Sequence, residues 1–376
     1  MERNANDDAR APPSPLRGRG TPDQPTSRFL EVDFAADPSD DVGAILDGEG
    51  GGSRELGADQ ISGPVTKFFV DTTRNIIAHN DSPDVGFRVS VNPYRGCEHG
   101  CIYCYARPTH EYFGLSAGLD FETKIFVKQD APKLLRDALM SPKWQPQTLA
   151  LSGVTDCYQP IERKLKLTRG CLEVLAEFRH PTAIVTKNFL VTRDVDVLAK
   201  LAEHDAVIVV VTVTTLDEEL AAVMEPRASR PARRLEAIRA LASAGIPTSV
   251  MLGPMIPGLT DHEIPAIVAA AAQAGARSAS WLMVRLPFGV KDLFQSWLER
   301  HRPDRKDKVL NRLRELRNGK LNDPRFGVRM RGEGEWARQI DQLFDVAVAR
   351  AGLKERTFAL NTKAFRRPGL HQQGLF

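Results

Sequence analysis

Cys97, Cys101 and Cys104 stand in the spacing C-x3-C-x2-C, with no fourth cysteine in register. They belong to the run Asn-Pro-Tyr-Arg-Gly-Cys-Glu-His-Gly-Cys-Ile-Tyr-Cys-Tyr, directly after a strand-like stretch. Three thiolates can hold three irons of a [4Fe–4S] cube and leave the fourth iron open. An open iron can bind and reduce a small molecule, whereas a closed structural site cannot, so the spacing points to an enzyme. Gly96 and Gly100 permit the tight backbone that brings neighbouring sulfurs together. Tyr94, Tyr103 and Tyr105 can wall such a cluster off from water. The competing reading is a zinc site, which wants a fourth ligand that His99 or His110 would supply. Five cysteines, an odd number, argue against a disulfide framework.

A loop of this kind needs a rigid scaffold. From about residue 65, apolar β-branched runs alternate with helical patterns. The strand candidates are 87–91, 149–152, 183–186, 207–213, 249–252 and 281–286. The helix candidates are 131–140, 167–178, 195–203, 233–243 and 264–274. Near-continuous apolar strands joined by helices imply a parallel sheet covered by helices. Six such units predict an α/β fold, a partial (βα)6 TIM-like barrel, with the reactive groups at the C-terminal strand ends. The cysteine loop follows the first strand, as that rule requires.

The flanks differ. Residues 1–60 are rich in Pro, Gly, Ser, Asp and Arg and predict a disordered leader. The core is expected over 61–290, and 291–376 reads as a basic helical C-terminal region with a tail. Lys291–Arg331 holds about thirteen basic residues against about six acidic ones, an excess hidden by the whole-chain net charge of +3. Trp297, Leu298, Val309, Leu310, Leu313 and Leu316 give that region an amphipathic helical pattern, and a further helix is predicted over 335–351. The basic excess reads either as an electrostatic footprint for nucleic acid or as a solvated helix face. No apolar run reaches the length of a membrane span and no hydrophobic leader segment is visible, so a cytoplasmic protein is expected.

The motif C-x3-C-x-aromatic-x-C, with Tyr103 as the aromatic, resembles the signature of the radical S-adenosylmethionine (radical SAM) enzymes. Its wider context, through Tyr105-Ala106-Arg107, is similar to the branch related to spore photoproduct lyase, the DNA repair photolyase-like proteins. The resemblance implies a [4Fe–4S] cluster on the three cysteines and bound S-adenosyl-L-methionine, with one-electron cleavage to a 5′-deoxyadenosyl radical. It also implies a reductant such as flavodoxin or ferredoxin. Contacts to the methionine amino group are implied at the second strand end, where this chain has Ser152, Gly153, Thr155 and Asp156; the match to the family's Gly-Gly-Glu-like motif is loose. Lys187 ends the third strand, where a lysine facing a barrel mouth meets an anion and the family implies the cofactor carboxylate. Thr212 and Thr214 share a face of the fourth strand, toward the ribose or methionine end. Gly253, Ile256 and Gly258 resemble the family's G-x-I-x-G segment at adenine, with Tyr103 assisting. Glu225-Pro226-Arg227 and His110-Glu111-Tyr112 read as a loop ion pair and as packing for the cysteine loop.

Cys157 is a candidate hydrogen-atom donor, because spore photoproduct lyases keep a thiol near this strand end. Their donor aligns with Gly153 here, a departure that argues against repair of the spore photoproduct itself. Cys171 lies in a helical pattern and reads as core. The terminal Gln372-Gln373-Gly374-Leu375-Phe376 resembles the pentapeptide that docks bacterial DNA-repair proteins on the sliding clamp. The function expected is a radical SAM lyase or transferase acting on nucleic acid. The alternatives are a protein or small-metabolite substrate, or a non-catalytic Fe–S or zinc binding protein.

Overall fold

The six apolar runs become strands of one sheet. The computed structural model describes residues 16–29, 64–353 and 359–369. The strands are β1 (Lys67–Val70), β2 (Ile77–His79), β3 (Val89–Val91), β4 (Tyr94–Arg95), β5 (Lys124–Val127), β6 (Leu149–Leu151), β7 (Thr182–Thr186), β8 (Val207–Thr212), β9 (Thr248–Met255) and β10 (Ser278–Met283). A seven-stranded sheet runs in the order β10-β9-β8-β7-β6-β3-β2. Every pairing in it is parallel except the hairpin of β2 with β3. Buried on both faces, these strands can be apolar almost throughout; in β8 only Val210 is not fully buried. The sequential order β3, β6, β7, β8, β9, β10 is that of the expected partial barrel.

The covering helices are α1 (Asp120–Thr123), α2 (Ala131–Met140), α3 (Glu162–Leu165), α4 (Leu167–Glu177), α5 (Val195–Ala202), α6 (Glu218–Met224), α7 (Pro231–Ser243) and α8 (Ile264–Gln273). Pro231 opens α7 at a position where a missing N–H costs nothing. The last predicted strand begins three residues earlier than expected, at Ser278, and β9 runs on to Met255.

Two features depart from the sequence reading, whereas the C-terminal region follows it. A second, three-stranded sheet, β1-β5-β4, forms from short segments far apart in the chain. The basic C-terminal region folds as α9 (Val290–His301), α10 (Pro303–Glu315) and α11 (Glu335–Arg350), whose apolar faces are buried. Phe344 and Ile340 of α11 join the main core with Trp281. Within the stretch read as a disordered leader, residues 16–29 lie against the core, because Arg19, Gly20, Gln24 and Arg28 all find buried partners around α1 and the segment before it. The terminal pentapeptide lies outside the described residues. Among those described, no helix is long and apolar enough to cross a membrane.

Candidate functional site

The cysteine loop leaves the sheet after β3, and its backbone is held on every side. Cys97 N donates to Phe121 O of α1 (3.0 Å), and Ile102 N donates to Met224 O at the end of α6 (3.0 Å). Gln159 clamps the near end, accepting from Glu98 N and donating to Gly96 O. Arg107 clamps the far end: its guanidinium donates to Cys101 O (3.0 Å) and Gly100 O (3.2 Å) and pairs with Glu122 at 2.5 Å. Arg107 and Glu122 are both wholly buried, so this is a desolvated ion pair with its remaining donors satisfied. Gly100 has φ +69°, and a Cβ there would lie 2.7 Å from Glu122 Oε2. Gly20 presses on the same carbonyl; a Cβ on it would lie 1.8 Å from Gly100 O.

Cys97 and Cys101 are buried and Cys104 partly so, and all five cysteines are free thiols. Burial pushes the thiols of Cys97 and Cys101 well above their ordinary value. Thiolates at these positions therefore need a strongly cationic centre to offset the loss of solvent. Among the described residues no three His, Cys, Asp or Glu side chains are set to hold a single metal ion. A cube does not ask for that, since each thiolate serves a different iron. Of the histidines offered as a fourth ligand, His99 has both ring nitrogens engaged, Nδ1 at 3.4 Å from Asp156 and Nε2 against Asn188, whereas His110 bonds Lys124 O through Nε2 and keeps a buried Nδ1 without a partner. The donor set fits a three-thiolate cluster with one open corner.

Beside the loop stands Lys187, one residue past β7. Its ammonium donates to Gly253 O (2.8 Å) and lies 3.8 Å from Glu225 Oε1 and 5.9 Å from the Tyr103 ring centroid. Burial pushes its pKa down to about 8, with the charges of Cys101 and Cys104 acting the other way. An ammonium has three donors; here one meets Gly253 O closely, and the Glu225 carboxylate stands farther off. Glu225 was read as a loop ion pair; the structure puts it at the hub. It accepts from Tyr103 OH, from Thr214 Oγ1 (2.8 Å) and from Arg234, all buried. Thr214 Oγ1 also lies 2.9 Å from Gly253 O, the alternative acceptor for its single proton. Thr212 contributes its carbonyl, which accepts from Arg234 (3.2 Å). Ile256 is fully buried in the same apolar cluster as Tyr103, and Gly258 turns the chain at φ +79°.

The second strand end is arranged differently from expectation. Ser152, at φ +79°, donates its hydroxyl to Thr155 O and accepts from Cys157 N, closing the turn on itself. Thr155 Oγ1 donates to Tyr94 O. Gly153 offers its carbonyl to Tyr105 OH (2.8 Å). Asp156 accepts from Thr186 Oγ1 and from Lys187 N (both 2.8 Å), and so ties the cysteine loop, through His99, to β7. These groups position the mouth. Cys157 is fully buried in the main core, in the same cluster as Leu151, Leu172 and Tyr158, and burial pushes its thiol well above the usual range. Cys171 is core, as read.

Comparison with known proteins agrees with this geometry. The family model described as the Radical SAM superfamily matches residues 91–271. An uncharacterized protein of Mycobacterium tuberculosis is 36% identical over 248 residues, covering 65% of this chain and 72% of that one. An uncharacterized protein of Methanocaldococcus jannaschii is 30% identical over 178 residues, 47% of this chain and 64% of the other. Among solved structures, a spore photoproduct lyase mutant with bound AdoMet and dinucleoside spore photoproduct superposes with a TM-score of 0.55 at 15% identity, covering 75% of this chain and 79% of that one. At that identity the likeness is one of fold.

Proposed function

The chain belongs to the radical SAM superfamily and is an enzyme, and from that premise we propose that Cys97, Cys101 and Cys104 hold a [4Fe–4S] cluster, that S-adenosylmethionine lies between their loop and Lys187, and that the substrate is nucleic acid. The observation that carries the reading is the meeting of three thiols in one loop with the Lys187 ammonium at the C-terminal ends of the parallel strands. Bound together, the two cofactors supply reductive cleavage of a sulfonium and abstraction of hydrogen from a substrate, with the electron drawn from a reductant such as flavodoxin or ferredoxin.

The protein's part is placement and exclusion of water. Lys187 receives the methionine carboxylate as a charge-assisted hydrogen bond. Its position is set through its own backbone N–H, which Asp156 accepts. Tyr103 is held by Glu225 and Thr214, so its backbone and the apolar Ile256 can flank the adenine. Arg234 pairs with Glu225 from behind, and its charge opposes the burial that pushes the Glu225 carboxyl up. The cysteine loop is nearly dry: Ile102 is wholly buried and Tyr103 is 5% exposed. For the substrate class, support comes from the shared fold, since the solved lyase structures carry a dinucleoside spore photoproduct.

Anaerobic reconstitution with iron, sulfide and a chemical reductant tests the reading. The wild-type chain should form 5′-deoxyadenosine from S-adenosylmethionine, seen by chromatography, and Cys104→Ala should form none. Lys187→Met should raise the apparent KM for S-adenosylmethionine about tenfold or more, the worth of one charge-assisted bond. A fully loaded cluster that yields no 5′-deoxyadenosine would sink the proposal.

A further inference from the structure

Arg285 follows β10 by two residues, at the same end of the sheet as Lys187 and the cysteine loop. Its guanidinium lies 5.4 Å from the ring centroid of Tyr105, the residue after Cys104. Its side-chain hydrogen bond is to Met330 Sδ at 3.9 Å, a weak acceptor. Asp84 is the acid whose field reaches it, and Asp84 is already committed to Arg329 and to Gly327 N (2.7 Å). Arg285 is thus a half-buried cation beside a second cation, with no carboxylate of its own among the described residues. A guanidinium in that setting lacks the counter-ion that would offset its lost hydration.

Aromatic faces accompany it. Tyr105 is 47% exposed and Phe326 is 55% exposed. Arg329 stands 4.4 Å over the Phe326 ring, as Arg285 stands over Tyr105. Two open rings, each flanked by an arginine, border the mouth. Cations that track a backbone, interleaved with rings that stack on bases, are the means by which proteins bind unpaired strands. A duplex hides its base faces and wants a broad basic surface. In the C-terminal region the basic excess is partly offset, since Lys306, Arg312, Arg325 and Arg331 hold carboxylates.

We propose that the barrel mouth docks a single-stranded polynucleotide, with Arg285 receiving a backbone phosphate and the rings of Tyr105 and Phe326 receiving unstacked bases. This rests on the nucleic-acid reading above and adds to it the strand state and the residues that select it.

The test is fluorescence anisotropy of a labelled single-stranded deoxyoligonucleotide, and of its duplex, with the reconstituted full chain over a salt series. The wild type should bind the single strand more tightly. Arg285→Gln should weaken binding about tenfold or more and lower the slope of log K against log salt by about 0.7, the share of one phosphate contact on a single strand. Arg285→Lys should recover the slope, and Phe326→Ala should weaken binding with the slope unchanged. Lys200→Gln, on the exposed face of α5, should match the wild type. Equal affinity and slope for Arg285→Gln and wild type, or tighter binding of the duplex, overturns the inference. Formation of 5′-deoxyadenosine by the wild type without oligonucleotide reports the cofactor chemistry separately, so its failure would strike the proposed function and leave the binding result standing.

Discussion

Two regions of this molecule are dense in charge and use it in opposite ways. Around the cysteine loop the charges are few and buried: Arg107 with Glu122, and Arg234 with Glu225, are each at most 1% exposed. Each arginine spends its other donors on backbone carbonyls, so the pairs fix the course of the chain rather than merely attract. Along the C-terminal helices the charges are many and wet. Arg338 pairs with Glu335, and Arg312 with Glu315, at single-turn spacing on exposed faces. Those pairs gain little, because solvent screens them and two long side chains must be held still. A local excess of basic residues is therefore a poor guide to free positive charge, and the few buried pairs decide where the chemistry can stand.

Three substitutions test that contrast. Arg107→Met should have the largest effect, leaving Glu122 buried without its cationic partner at a cost of about 3–5 kcal/mol. It should lower the urea midpoint and cut the iron retained after reconstitution; loss of neither would mean that the pair does not brace the loop. Gly20→Val comes next. With 1.8 Å between the added Cβ and Gly100 O, the segment 16–29 must lift away. An overpacked contact of this kind costs about 1–3 kcal/mol. Limited proteolysis should cut the variant near residue 20 much faster than the wild type, and equal rates would remove the strap from the account. Arg338→Ala should be the smallest, within about 0.5 kcal/mol, since both partners of its pair are largely exposed. A thermal melt displaced by many degrees would show the C-terminal surface to be more than a solvated face.

Much of the scaffold was readable. Helices α2, α4, α5 and α8 begin at the residues the periodicity indicates, because their apolar stripes face a sheet and a stripe is a local property. The sheet β1-β5-β4 was not readable, since short strands of mixed burial carry little periodicity and their partners lie far along the chain. Within the site, the cysteine trio and Lys187 were legible as residue types at strand ends. Glu225 was not, though an acid just past a helix with Arg234 nine residues later is the kind of pattern that could have flagged it. The burial of Cys157 was not legible, because a turn's inward or outward aim depends on hydrogen bonds, such as that between Cys157 N and Ser152 Oγ, which no spacing encodes.

The amino-acid order alone determined the alternation of strands and helices and the number and spacing of the thiols, for these follow from periodicity and ligand chemistry over short stretches. Tertiary structure decided which charges are buried and which are screened, that residues 16–29 lie on the cysteine loop, and that Arg285 stands without a counter-ion among the described residues. The reason is physical: desolvation and pairing are properties of the space around a group, and that space is filled by residues brought from tens or hundreds of positions away.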